Sequence, residues 1–197
     1  MGPVLAVLVA LSAVGSTQLP LERRVFCDGS DYLLQYDDGE GWWLTWGGAY
    51  RGVWFRVEDF TTAPVDIIGL ELWFYHHPGY PWDTPFFFAE IWTGDDQSGP
   101  VTQLYSETAP ATHDSAVRLE VDPPIGSGPD FWVLVNTEMS SGGWPSSLGD
   151  NGPNFTGHCH SFVAGNPWSQ GDLMIRADVD PLGLAETTWG RIKSLLL

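Results

Sequence analysis

Lysine is all but missing from this chain. Lys193 is the only one in 197 residues, and the 8 Lys and Arg together face 25 Asp and Glu, a formal net charge of −17. A surface this acidic repels phosphate backbones, which argues against nucleic-acid binding. The same field attracts cations, calcium among them. Cysteine is scarce as well: Cys27 and Cys159 are the only two. They fit an exported protein with one disulfide, or else two unrelated thiols. A pairing across so long a loop contributes about 3–5 kcal/mol if the geometry allows it, but sequence alone does not place the two Cα atoms. A chain of this length buries a core without metals or multiple disulfides.

Long helical patterns and long hydrophobic runs are lacking too. The longest apolar run, at the N-terminus in MGPVLAVLVALSAVGSTQ, has roughly a dozen apolar residues and is short for a membrane span. It ends in small residues and is expected to be a signal peptide over 1–17, with Ala13-Val14-Gly15 as one cleavage signature. It lacks the basic leading segment of such peptides, and the alternative is a buried strand or helix. Several catalytic signatures are also absent. No G-x-S-x-G elbow, H-E-x-x-H helix, C-x-x-C pair or glycine-rich phosphate loop occurs. A zinc site on His158 and His160, which flank Cys159, would need a third ligand such as His76, His77 or His113; without a zinc spacing signature the alternative is a loop with a disulfide cysteine between two surface histidines.

What the sequence does hold is Trp (11), Gly (23) and Pro (15). Runs rich in β-branched and aromatic residues recur between Gly, Pro, Asp and Asn turn signals. They predict strands at 33–36, 50–57, 65–76, 86–92, 101–105, 117–121, 131–137, 160–163 and 173–179. With no helices between them, an all-β antiparallel sandwich of the jelly-roll or immunoglobulin-like kind is expected over residues 25–180. The segment 139–172 reads as a long functional or edge-covering loop, and Asn154-Phe155-Thr156 in it matches a glycosylation sequon. Residues 181–197 read as a linker with a short amphipathic helix, carrying Trp189, Ile192, Leu195 and Leu196 on one side.

Strand alternation assigns the faces. Leu70, Leu72 and Phe74 share one face, opposite Glu71, Trp73, Tyr75 and His77. Phe87, Ala89 and Ile91 share another, opposite Phe88, Glu90 and Trp92. The aliphatic sets are expected in the core. Glu71 and Glu90 are expected to avoid the interior, leaving Trp73, Tyr75 and Trp92 partly exposed with them.

Several short motifs carry a resemblance: YDDG (36–39), WGG (46–48), the Val53–Val57 strand, TPFFFAEIW followed by GDDQSGP (84–100), DFWVLVN (130–136) and GDLMIRADV (171–179). The series resembles a β-sandwich module of exported bacterial proteins that often carry a C-terminal type IX secretion sorting domain. The tail 186–193 is similar to the linker that precedes such a domain, so a longer parent protein is expected. The resemblance implies a secreted or cell-surface accessory or adhesion module. It supplies no catalytic residues.

Three chemistries remain open at the residue level. A glycosidase needs two carboxylates about 5–10 Å apart across a cleft, and Glu71 with Glu90 on adjacent strands is the pair that fits. Calcium needs hard oxygen ligands, for which Asp37, Asp38, Asp95 and Asp96 are the candidates, in the acid-rich turns Asp37-Asp38-Gly39-Glu40 and Asp95-Asp96, with Asp150-Asn151 a third such turn. Asp and Asn also populate turns for purely structural reasons. Exposed Trp and Tyr stack on sugar rings while nearby acids accept hydroxyl hydrogen bonds. Trp73, Tyr75 and Trp92 with Glu71 and Glu90 form the expected binding face, and Trp42, Trp43 and Trp82 are further candidates. The expectation is a non-catalytic module, with an extracellular glycan or neighbouring domains of the parent protein as partners and calcium as the one conceivable cofactor.

Overall fold

A computed structural model describes residues 32–61, 64–152 and 160–181. The expected signal peptide, Cys27, His158, Cys159, the sequon and the tail helix lie outside those residues. Among the described residues the chain is all-β, with one short 3-10 turn at Val57–Asp59. No helix there is long and apolar enough to cross a membrane.

The strands are β1 (Tyr32–Leu34), β2 (Trp43–Thr45), β3 (Tyr50–Arg56), β4 (Val65–Phe74), β5 (Phe86–Thr93), β6 (Thr102–Pro110), β7 (Ser115–Gly126), β8 (Asp130–Asn136), β9 (Ser147–Gly149), β10 (Ser161–Val163), β11 (Asn166–Pro167) and β12 (Ile175–Pro181). They form two antiparallel sheets. The first runs β1-β12-β4-β9-β2, with β7 on the other side of β4; the second runs β11-β10-β3-β8-β5-β6.

The core forms where the sequence alternation points. Leu70, Leu72 and Phe74 of β4 are completely buried against Phe87, Ala89 and Ile91 of β5, and Val53, Phe55, Val133, Val135, Ile175, Ala177 and Val179 complete the layer between the sheets. Phe74 meets Phe87 at 4.6 Å, and Phe55 stacks on Phe131 at 5.1 Å. A period of two puts every second residue on the inner face, and β-branched and aromatic side chains fill it well.

All nine expected strands form, with shifted ends. Three more, β2, β9 and β11, appear where no alternation announces them. β9, β10 and β11 show that the 139–172 segment is not simply a long loop: β9 pairs with β2, and β10 pairs with β3. Strands of two or three residues are too short for a period to show.

The expectation that Glu71 and Glu90 avoid burial is overturned, because each is 4% exposed. Both do point away from the core, but aromatic rings and hydrogen-bond donors close over them. The expectation that they share a face also fails. β4 belongs to the first sheet and β5 to the second, and each glutamate lies between two core-facing neighbours. They therefore leave the sandwich in opposite directions.

Candidate functional site

Glu71 lies at the middle of the outer face of the first sheet. The register places Arg176 of β12 opposite it on one side and Arg118 of β7 opposite it on the other. Glu71 Oε1 accepts from Trp73 Nε1 at 2.8 Å and from Arg176 Nη1 at 2.7 Å, and Oε2 accepts from Arg118 Nε at 2.9 Å. Burial alone raises the Glu71 carboxyl, but the Trp73 and Arg118 hydrogen bonds and the arginine charges outweigh it and hold it below the usual carboxylate range. Arg176 also forks onto Asp37, with Nη2 to Oδ1 at 2.6 Å and Nε to Oδ2 at 3.0 Å. Its guanidinium lies 5.7 Å from the centre of the Trp73 ring.

Beside this charged centre is a small apolar floor. Leu44, Leu148 and Met174 are buried, and half-buried Trp46, Trp73 and Tyr75 pack against them. The aromatic surface continues into the loops at the end of the sandwich where β4 finishes. Trp46 stacks on Trp144 at 5.0 Å and meets Tyr80 at 4.8 Å. These rings sit on loops fixed by hydrogen bonds, those of Arg51 buried. Arg51, completely buried, donates from Nη1 to the Gly143 carbonyl at 2.8 Å, from Nη2 to the Pro145 carbonyl at 2.7 Å and from Nε to Ser147 Oγ at 3.0 Å. It thereby clamps both sides of Trp144. Burial without a facing carboxylate lowers its guanidinium to about 9. Trp82 Nε1 donates to Ser146 Oγ, which donates to the Tyr75 carbonyl at 2.6 Å. Asp83 accepts from Ser140 Oγ, Ser141 Oγ and the Ser141 amide. Its carboxyl is held below the usual range, with the Ser140 bond the largest cause.

Of the five expected binding residues, the structure unites Glu71, Trp73 and Tyr75. Glu90 and Trp92 lie on the second sheet. There Glu90 Oε2 accepts from Trp92 Nε1 at 2.8 Å, and Oε1 accepts from Asn136 Nδ2 at 2.8 Å. Trp92 pairs in register with Trp132, which pairs with Trp54. The latter two are buried, and Trp92 packs against them as cover. Trp42 and Trp43 meet edge to face beside β2, and Trp82 stacks on His76. Sequence reasoning missed Trp46, Tyr80 and Trp144. Each lies in a glycine- or proline-rich loop, where no strand period points it anywhere. The glycine flanks of Trp46 and Trp144 were the available signal.

The expected metal ligands separate into two distant turns. Both Asp37 oxygens are taken by Arg176, and burial, the largest influence, pushes this carboxyl up. Asp38 Oδ1 caps the Glu40 amide. Asp95 Oδ1 accepts from the Gln97 and Ser98 amides and from Ser98 Oγ, which closes the β5–β6 turn. Asp96 is exposed in the same turn. Among the described residues no group of three or more His, Cys, Asp or Glu is arranged to hold a metal ion. The bonds at Asp95 are those the turn-forming alternative requires. At the opposite end of the sandwich from the aromatic loops, a cavity of about 500 Å³ is lined by Arg56, Glu58, Ser127 and Asp130 among others, without an aromatic ring.

No family model, curated protein or solved structure matches this chain.

Proposed function

We propose that this chain is a non-catalytic extracellular accessory or adhesion module whose contact surface, on the outer face of the first sheet, takes neutral carbohydrate. The observation that carries this is the gathering of half-buried Trp46, Trp73 and Tyr75 over the Leu44–Leu148–Met174 floor. Partly exposed rings on a rigid base offer apolar area to the C–H faces of sugars at low entropic cost. Exposed Arg118 stands beside them as a donor for hydroxyl groups, held in place by buried Glu71. A net charge of −17 works against uronate or sulfated chains. The hydrolase alternative draws no support from the carboxylates singled out for it, which face opposite directions and are each engaged by hydrogen-bond donors.

The test is a panel of soluble neutral, uronic and sulfated polysaccharides, screened with and without chelator. Saturable binding to a neutral member, weakened by Trp73→Ala and unchanged by chelator, is the expected result. Failure to bind any member leaves a purely structural module.

A further inference from the structure

Three of the five histidines lie at the aromatic end of the sandwich, and each uses a ring nitrogen as a hydrogen-bond acceptor. The Gly79 amide donates to His77 Nδ1 at 3.0 Å, the His76 amide donates to His113 Nδ1 at 3.1 Å, and the Trp82 amide donates to His76 Nε2 at 3.4 Å. Together these bonds anchor residues 76–82, the segment that carries Tyr80 and Trp82. The same imidazoles pack on the rings: His77 meets Tyr80 at 5.2 Å, His76 stacks on Trp82 at 4.7 Å, and His113 meets Tyr75 edge to face at 4.7 Å.

A neutral imidazole has one acceptor nitrogen, whereas a protonated one has none. Histidine is the side chain whose ordinary titration falls between pH 5 and 8. We propose that the His76–His77–His113 cluster is a pH-operated latch on the β4–β5 loop: neutral imidazoles hold the loop and its aromatic rings in place, and protonation releases three backbone anchors together. Among the described residues, the titratable side chains on the surrounding segments are Asp83 on the same loop, Asp114 beside His113, Tyr75, Tyr80, and Glu138 on the segment after β8, and buried Arg51 bonds to the Gly143 and Pro145 carbonyls. Each of the three bonds uses a ring lone pair that a protonated imidazole lacks, so acidification is the releasing direction. A charged His76 gains from the face of Trp82, but it no longer has a lone pair for the Trp82 amide. In functional terms the latch rests on the carbohydrate reading and deepens it: Tyr80, which packs on Trp46 of the contact surface, is held at neutral pH and loosened in acid.

Non-titrating side chains with an oxygen where the acceptor nitrogen stood separate the latch from simple packing. Asn Oδ1 replaces Nδ1 in His77→Asn and His113→Asn, and Gln Oε1 replaces Nε2 in His76→Gln. Amide hydrogen exchange at His76, Gly79 and Trp82 is measured without any sugar, from about pH 7.5 to about pH 5, and corrected for intrinsic chemistry. In the wild type, protection of the three amides should fall by roughly tenfold or more on acidification. In the triple variant it should stay level, and His113→Asn alone, at an exposed site, should remove the response of the His76 amide. An unchanged wild-type profile, or a triple variant that responds like the wild type, overturns the latch. Affinity for a polysaccharide that binds at neutral pH is then compared at the two pH values. The ratio should be about tenfold in the wild type and about one in the triple variant. If no polysaccharide binds at any pH, the carbohydrate reading fails while the amide data still decide the latch.

Discussion

Glu71-Leu72-Trp73 on β4 and Glu90-Ile91-Trp92 on β5 are the same local device built into different sheets. In each, the central aliphatic residue is fully buried in the core, the glutamate turns outward, and the tryptophan two residues on donates its indole N–H back to it at 2.8 Å. What differs is who lies across the strand. Glu71 has Arg176 and Arg118 opposite it, whereas Glu90 has Leu134 and Ser106. The first glutamate therefore sits in a charged network that includes Asp37. The second is held by two neutral donors, Trp92 and Asn136. The spacing builds the local hydrogen bond, and the register decides the electrostatics.

The largest effect should come from removing the arginine that separates the two cases. Arg176→Met leaves Asp37 and Glu71 buried without their shared cation, and a loss of about 3–5 kcal/mol is expected in urea unfolding. A loss below 1 kcal/mol would mean that the charges on this face contribute no more than exposed pairs do.

Asp150 examines the same contrast from the other side. It is a buried carboxylate next to the first sheet to which the structure gives backbone amides of Asp38, Gly152 and Asp172 but no arginine. Burial, with Asp38 and Asp172 nearby, pushes it up to about 7. Its folded pKa lies above the unfolded value near 4. Between those values the native state binds more protons than the unfolded chain, so this group makes stability fall as pH rises from about 4 to about 7. Denaturation midpoints from pH 4 to 8 should show that decline, by a few kcal/mol at most, on top of other titrations. Asp150→Asn should flatten it.

Next in size is the direct comparison. Glu71→Gln gives up two charged partners and should cost about 2–3 kcal/mol, whereas Glu90→Gln keeps neutral hydrogen bonds and should cost about 1 kcal/mol. Equal costs in parallel unfolding curves would erase the distinction between the two faces. The smallest expected effect concerns ligand. Trp73→Ala should weaken polysaccharide binding by about tenfold, and Trp92→Ala should leave it unchanged, as titration calorimetry can read. A loss in both variants would move the contact surface to the second sheet.

Much of the fold was legible before any coordinates. Leu70, Leu72, Phe74, Phe87, Ala89 and Ile91 alternate strictly, and alternation translates directly into a buried face. The short strands β2, β9 and β11 were illegible because two or three residues carry no period. The site was legible in part. Trp73 and Tyr75 follow from β4, but Trp46, Tyr80 and Trp144 converge from three separate loops, and no local pattern records that meeting. The burial of Glu71 and Glu90 was missed because a carboxylate's environment depends on partners distant in sequence: Arg176 lies 105 residues from Glu71 and Asn136 lies 46 from Glu90.

By itself the sequence determined the class of structure, the inner faces of its long strands and its acidic surface, since composition and short-range period are local properties. Only the tertiary structure decided that the two Glu-x-Trp pairs look in opposite directions, that one is flanked by arginines, and that His113 of the β6–β7 loop meets the β4–β5 loop at His76. Those outcomes depend on sheet order and cross-strand register, which are set by packing the whole chain around one core.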